Sequence, residues 1–213
     1  MCVIIKGKIG DLENLDYRDY LSAWKHNPHG SGIIVYDDKK VLKIQRAMKF
    51  KDFNNQLNTI KKEYPKDISI VIHMRLATHG SIKEENTHPF SFDEKFYIIH
   101  NGVFGYYKNK NAALDKPDSY WKAENFYEKY IKKGLDLSNF SDNFLIRFFE
   151  CETGNNRVVL LHKTKNGLIE KFFNFKEYKN LLVSNTYSFN TAFATCRSSY
   201  SVARLSFRKQ SLF

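Results

Sequence analysis

The sequence predicts an α+β domain built in layers, and three observations carry that prediction. Short β-branched runs, Val3-Ile-Ile5, Ile33-Ile-Val35, Ile68-Ser-Ile-Val-Ile72 and Val158-Val-Leu-Leu161, read as buried strands. Between them lie stretches whose apolar residues recur at intervals of three and four, the period of a helix. Two strand-rich groups enclose a central pair of helical segments, an order that fits layered α+β packing.

Taken along the chain, Val3 to Ile9 is a strand with Cys2 at its start. Asp16 to His26 carries Tyr17, Tyr20, Leu21 and Trp24 on one helical face. The turn Asn27-Pro-His-Gly-Ser-Gly32 breaks that helix. Ile33 to Tyr36 and Val41 to Met48 are strands joined by the charged turn Asp37-Asp-Lys-Lys40. Phe50 to Tyr64 is an amphipathic helix, with Phe53, Leu57, Ile60 and Tyr64 on one face, and it stops at Pro65. Two motif-bearing strands follow, ending near His73 and His100, and Val103 to Tyr107 is expected to continue the sheet. Asn109 to Pro117 is a loop. Ser119 to Lys133 is a helix with Trp121, Phe126, Tyr127 and Tyr130 inward, closed by Gly134. Ser141 caps a second helix reaching about Phe149. Val158 to His162 and Leu168 to Phe175 form a hairpin around Lys163-Thr-Lys-Asn-Gly167, and Leu181 to Val183 adds one more strand. The tail from Arg197 to Phe213 reads as a strand or a solvated end.

Composition narrows the function. Hydrophobic residues at 42%, with 18 Phe and 13 Tyr, supply a folded core rather than a disordered chain. No run reaches the roughly 18 apolar residues of a membrane helix. Without a long apolar N-terminal stretch, the expected location is the cytoplasm, or the host cytoplasm for a viral chain. Cys2, Cys151 and Cys196 are too widely spaced for a disulfide framework or a zinc pattern. The net charge of +11 invites a nucleic-acid reading. The lysines are scattered, however, and no compact arginine-rich block appears, so this role is not favoured, although a nucleic-acid or acidic protein partner stays open.

The chemistry concentrates in His73-Met-Arg-Leu-Ala-Thr-His-Gly80, continuing to Asn86-Thr-His-Pro-Phe90, and in His100-Asn-Gly102. Each block follows an apolar strand, which suits a site on a rigid support. Together with Met1-Cys2, and in this order, these blocks resemble the glutaminase domain of class II glutamine amidotransferases, which are N-terminal-nucleophile hydrolases. The likeness covers roughly residues 2–120, with a looser match to about 185. It implies a four-layer αββα sandwich, with 1–213 as a single glutaminase-like domain, and it implies no cofactor. The chain also resembles the short stand-alone members of bacteria and their viruses.

The resemblance makes Cys2 the nucleophile once Met1 is removed. The thiolate is the reactive form and an ordinary thiol has a pKa of about 8.5. The freed α-amine, at about 7.7–8.0, can take and return the proton. Asn101 and Gly102 would form the oxyanion hole. Arg75 would hold the α-carboxylate of glutamine with its forked guanidinium. Thr78 and His79 would line the same pocket, and His88 would orient the loop. Asp118, in Pro117-Asp-Ser119, stands where the family's aspartate binds the substrate ammonium, with Asp115 as the nearby alternative.

Plainer roles compete at each position. Cys2 is also a small residue on an edge strand, Asn101-Gly102 a type I′ hairpin turn, and Asp118 a helix N-cap. His73 and His100 read as hydrogen-bonded structural residues. His73, His79, His88 and His100 lack an H-E-x-x-H or carboxylate-supported spacing, so no metal site is expected. Val3 and Leu76 depart from the glycine and tryptophan frequent in the family, which puts strict preference for free glutamine in doubt over other γ-glutamyl amides. The expected reaction is ammonia release through a γ-glutamyl thioester. At about 25 kDa and without a G-x-x-x-x-G-K-[ST] motif, the acceptor is expected on a separate ligase or synthase. The rival reading is an inactive or repurposed basic binding or structural protein of the same fold, associated with nucleic acid.

Overall fold

The computed structural model describes residues 2–105 and 115–189. Two antiparallel sheets face each other. The first has six strands in the order β3 (Val41–Ala47), β2 (Ser31–Tyr36), β4 (Ser69–Met74), β1 (Val3–Lys8), β10 (Leu181–Val183), β9 (Lys176–Tyr178). The second has four, in the order β5 (Phe90–Phe92), β6 (Phe96–Asn101), β7 (Arg157–Thr164), β8 (Gly167–Phe173).

Three apolar layers hold them together. Ile4, Ile34 and Val71 of the first sheet meet Ile99, Val159 and Leu161 of the second. The outer face of the first sheet, with Val3, Ile5, Ile33 and Ile72, packs under Trp24, Phe53, Leu57 and Ile60 from the helices α1 (Tyr17–His26) and α2 (Phe50–Glu63). The outer face of the second packs Phe96, Ile98 and Leu160 under Phe126 and Leu145 from α3 (Asp118–Lys129) and α4 (Asp142–Phe148). Helix, sheet, sheet and helix thus stack as the αββα sandwich, because strands buried on both faces need cover on both sides.

Local chemistry explains the element ends. Asp16 and Asp19 exchange side-chain-to-backbone bonds across the first turn of α1, and Ser141 accepts from Phe144 N to start α4. Gly134, at φ +92°, closes the short 3-10 turn that follows α3. In α1, Tyr17 stays exposed and touches the Phe50 ring edge-on, so it is not on the buried face.

Two expectations need correction. Val103–Tyr107 does not continue the sheet where it is described: β6 ends at Asn101, and Val103 N donates to Asn156 Oδ1 while Phe104 N donates to Asp118 Oδ2. Side chains capture the two amides that a further strand would have needed. Asn101-Gly102 is also no hairpin turn, since β6 pairs with β5 and β7. The three-residue strands β5 and β9 were not expected. The tail from Arg197 to Phe213 and Cys196 lie outside the described residues, as does residue 109–114 of the expected loop. Among the described residues, no helix is long and apolar enough to cross a membrane.

Candidate functional site

The first residues of β1 and the last of β4 are register partners, Val3 with Met74. This pairing brings Cys2 beside the segment that follows Arg75. Leu76 N donates to Cys2 Sγ at 3.3 Å, and the thiol in turn approaches Leu76 O at 3.6 Å. The neighbouring end of β6 supplies Asn101 and Gly102. One cleft is lined by Cys2, Arg75, Thr78, His79, His88, Gly102 and Asp118, together with Ser119 and His100. Seven of the eight expected site residues therefore share a cavity.

Asn101 completes the set from behind. Its side chain is buried, and Nδ2 donates to Ser184 Oγ at 2.9 Å. Ser184 Oγ also accepts from Ile4 N at 2.8 Å, and Asn185 Nδ2 donates to Cys2 O at 2.7 Å. The two residues just past β10 thus grip both the strand that carries Cys2 and the Asn101 amide. Sequence reasoning missed them, although a polar Ser-Asn pair directly after a buried strand is a readable signal.

The turn at Gly102 has a second organiser that was missed. Asn156 Oδ1 accepts from Val103 N at 2.9 Å and from His100 Nε2 at 3.0 Å, which places the His100 proton on Nε2. Asn156 is itself held by its donation to Glu150 O and by acceptance from Asn174. A Cβ at Gly102 would lie 2.0 Å from Asn156 Oδ1, so only glycine allows this close backbone approach.

Arg75 is buried, and three of its N–H groups go to its own loop: Nη1 donates to Ser81 O at 2.8 Å, Nη2 to His79 O at 2.9 Å and Gly80 O at 3.2 Å. Its guanidinium therefore shapes the loop as well as lining the cleft. Thr78 Oγ1 lies 3.2 Å from His79 Nδ1.

Asp115 anchors that loop from the far side. It accepts from Ser81 N and pairs with Lys83 at 3.1 Å, which takes its carboxyl down to about 2, the Ser81 bonds contributing most. Asp118 differs. It is the first residue of α3, Pro117 occupies the cap position, and no side-chain cap bond forms. Its Oδ2 accepts from Phe104 N at 2.6 Å, so it is not the N-cap considered from sequence.

Three buried histidines cluster at the cleft, with His88 and His100 lining it and His73 behind them. The His73 and His88 rings lie 4.4 Å apart, and His88 and His100 lie 6.5 Å apart. His100 is hydrogen-bonded, as expected. The His73 ring has only a weak interaction with the His100 backbone, and both ring nitrogens of His88 lack a hydrogen-bond partner among the described residues. Burial depresses the pKa of all three, to about 3 for His73 and well below the ordinary range for His88, where neighbouring positive charge adds to the effect; for His100 the Asp118 charge and the Asn156 bond oppose it. They are neutral packing groups. Among the described residues, no group of three His, Cys, Asp or Glu side chains is arranged to hold a metal ion.

Burial also raises the Cys2 thiol above its ordinary range, with the Leu76 N–H opposing the rise. The resting sulfur is therefore a thiol, and its chemistry needs a base. Cys151 is buried and pushed up to about 12, chiefly by desolvation, so it is inert.

The sequence profile of the family described as Glutamine amidotransferases class-II matches residues 14–121, which include Arg75 to Gly102 and Asp118 but not Cys2. A glutamine–fructose-6-phosphate aminotransferase of Methanococcus maripaludis is 33% identical over 126 residues, covering 57% of this chain and 18% of that one. The putative glutamine amidotransferase YafJ of Escherichia coli is 33% identical over 100 residues, covering 42% of this chain and 37% of that one. Among solved structures, a glutamine phosphoribosylpyrophosphate amidotransferase from B. subtilis is similar, with a TM-score of 0.45 and 15% identity over 89% of this chain and 43% of that one. The chain thus spans less than half the length of each of these relatives.

Proposed function

The chain belongs to the class II glutamine amidotransferases, and from that premise we propose that it is a cysteine-dependent glutaminase domain releasing ammonia from glutamine or a related γ-glutamyl amide. The observation that carries the reading is the convergence of Cys2, Gly102, Arg75 and Asp118 on one cleft, with the Asn101 amide tied through Ser184 to the strand of Cys2.

In this proposal, loss of Met1 frees the α-amine of Cys2. The sulfur attacks the side-chain amide carbon as its proton passes to that amine, which answers the raised thiol pKa. Negative charge develops on the amide oxygen, where Asn101 Nδ2 and Gly102 N–H donate to it. The C–N bond then breaks, the amine returns the proton, and ammonia leaves a γ-glutamyl thioester. Water hydrolyses the thioester and restores the thiol. Arg75 faces the substrate carboxylate with its remaining N–H groups, and Asp118 faces the ammonium, while Thr78, His79 and His88 bound the pocket.

We take residues 1–213 as one glutaminase-like domain and place the ammonia acceptor outside them, on a ligase or synthase partner.

The test combines intact mass with activity. The expected result is a chain lacking Met1 that releases ammonia from glutamine, and Cys2→Ala abolishes the release. A chain that keeps Met1, or a Cys2→Ala variant as active as its parent, would overturn the proposal. Ammonia release from another γ-glutamyl amide but not from glutamine would move the substrate and keep the mechanism.

A further inference from the structure

His29 lies in the turn that leads into β2, and its ring is half-buried. Its backbone N–H donates to Arg75 O at 3.0 Å, while Arg75 N donates to Gly30 O at 2.8 Å. These two bonds extend the β2–β4 ladder just past its strand residues. A side chain then takes over, because Ala77 N donates to His29 Nδ1 at 2.9 Å. Ala77 sits between Leu76, whose N–H meets Cys2 Sγ at 3.3 Å, and Thr78 at the cleft.

We propose that His29 is a positioning residue for the reaction: its unprotonated Nδ1 holds the Ala77 amide, and so sets the Leu76 N–H against the sulfur and Thr78 against the cleft. The inference rests on the reading of Cys2 as nucleophile. The segment from Leu76 to Thr78 has left the sheet, so regular strand pairing no longer fixes its backbone. Without the imidazole acceptor, the Ala77 N–H would lose its partner and the two amides flanking it could shift together.

The chemistry of the ring makes the role testable. A ring nitrogen can accept an N–H only while it carries no proton, so the neutral form with hydrogen on Nε2 is required. Protonation sets N–H against N–H and releases the anchor. Burial, and then the positive charge of Arg75, both lower the pKa of His29. The anchor is thus complete at neutral pH and is lost as the pH falls through a value below about 6.5.

The experiment uses the full chain after Met1 removal. Nitrogen NMR of the His29 ring at neutral pH is expected to show Nδ1 unprotonated and Nε2 protonated, with a slowly exchanging Ala77 amide. His29→Phe keeps a planar ring without the acceptor. It is expected to lower kcat for ammonia release roughly tenfold, the rate equivalent of one hydrogen bond, with a smaller change in KM. His29→Asn supplies a carbonyl acceptor and is expected to restore most of that loss while removing the acid limb that follows the imidazole.

A protonated Nδ1 at neutral pH overturns the proposal. So does a His29→Phe variant with the parent's kcat and acid limb. Failure of His29→Phe to fold leaves the decision to the ring tautomer and to His29→Asn. If the parent releases no ammonia, the reading of the reaction fails separately. The anchor is then judged by the ring tautomer, by Ala77 exchange and by a changed rate of Cys2 alkylation in His29→Phe; an unchanged alkylation rate counts against it.

Discussion

Asn101 Nδ2 donates to Ser184 Oγ at 2.9 Å, and that same oxygen accepts from Ile4 N at 2.8 Å. A single hydroxyl therefore joins the end of β6 in one sheet to the start of β1 in the other. The Asn101 amide and the strand that carries Cys2 keep their relative place through it. Ser184→Ala is expected to lower kcat roughly tenfold with little change in KM. It also strands a buried backbone N–H, which costs about 1–3 kcal/mol of stability. Steady-state kinetics and urea unfolding check the two effects separately.

Removal of the proposed oxyanion donor itself is expected to do more. Asn101→Ala should lose ~10²–10³ in kcat, the usual scale for one preorganised donor. Glutamine binding, measured on the Cys2→Ala background, should be largely retained. Loss of binding without loss of kcat would place Asn101 in substrate recognition instead.

Gly32 is a stability position. A Cβ there would stand 1.6 Å from His88 O, a backbone atom on the loop that seats the cleft. Gly32→Ala should therefore destabilise by about 3 kcal/mol or more, at the upper end of overpacking. A lowered urea midpoint, or an insoluble product, is the expected observation.

The buried histidines set an acid limit on folding. The folded chain holds His73 near pKa 3 and His88 well below its ordinary value, chiefly through desolvation, whereas the unfolded chain titrates each near 6.5. Their contribution is complete above about pH 6.5 and declines as the pH falls towards the folded values. The decline is about 1.4 kcal/mol per pH unit for each histidine. Urea midpoints between pH 7.5 and 4.5 should follow that slope, and His73→Phe should reduce it.

Asp115 bonds to the Ser81 backbone that also receives Arg75 Nη1. Asp115→Ala is expected to raise KM for glutamine several-fold while kcat is retained, since the loop shapes the cleft without touching the reacting bond. A parallel fall in kcat would show that loop and nucleophile move as one.

Much of this was legible before any coordinates. Strand and helix periods marked β1, β2, β3, β4, β6, β7, β8 and β10 and all four α-helices, because those patterns depend on neighbours a few residues apart. The short strands β5 and β9 escaped, since Phe90-Ser-Phe92 and Lys176-Glu-Tyr178 are polar-interrupted triplets, unlike the apolar Leu181-Leu-Val183 of β10. The course of Val103 and Phe104 was misread, because Asn156 and Asp118 capture their amides from a distance. Cys2, Arg75, Thr78, His79, His88, Asn101, Gly102 and Asp118 were singled out by the resemblance of their motif blocks to the amidotransferase family, not by local periodicity.

By itself, the sequence determined which elements form and which chemical groups sit at their tips. Only the tertiary structure decided how those groups are held. Asn101 meets Ser184 across 83 residues, Val103 meets Asn156 across 53, and Ala77 meets His29 across 48. The first of these crosses between the two sheets, and the other two join the ends of neighbouring strands within one sheet. Each partner is fixed by how distant strands pair or stack, and no local pattern records which one a buried polar group will find.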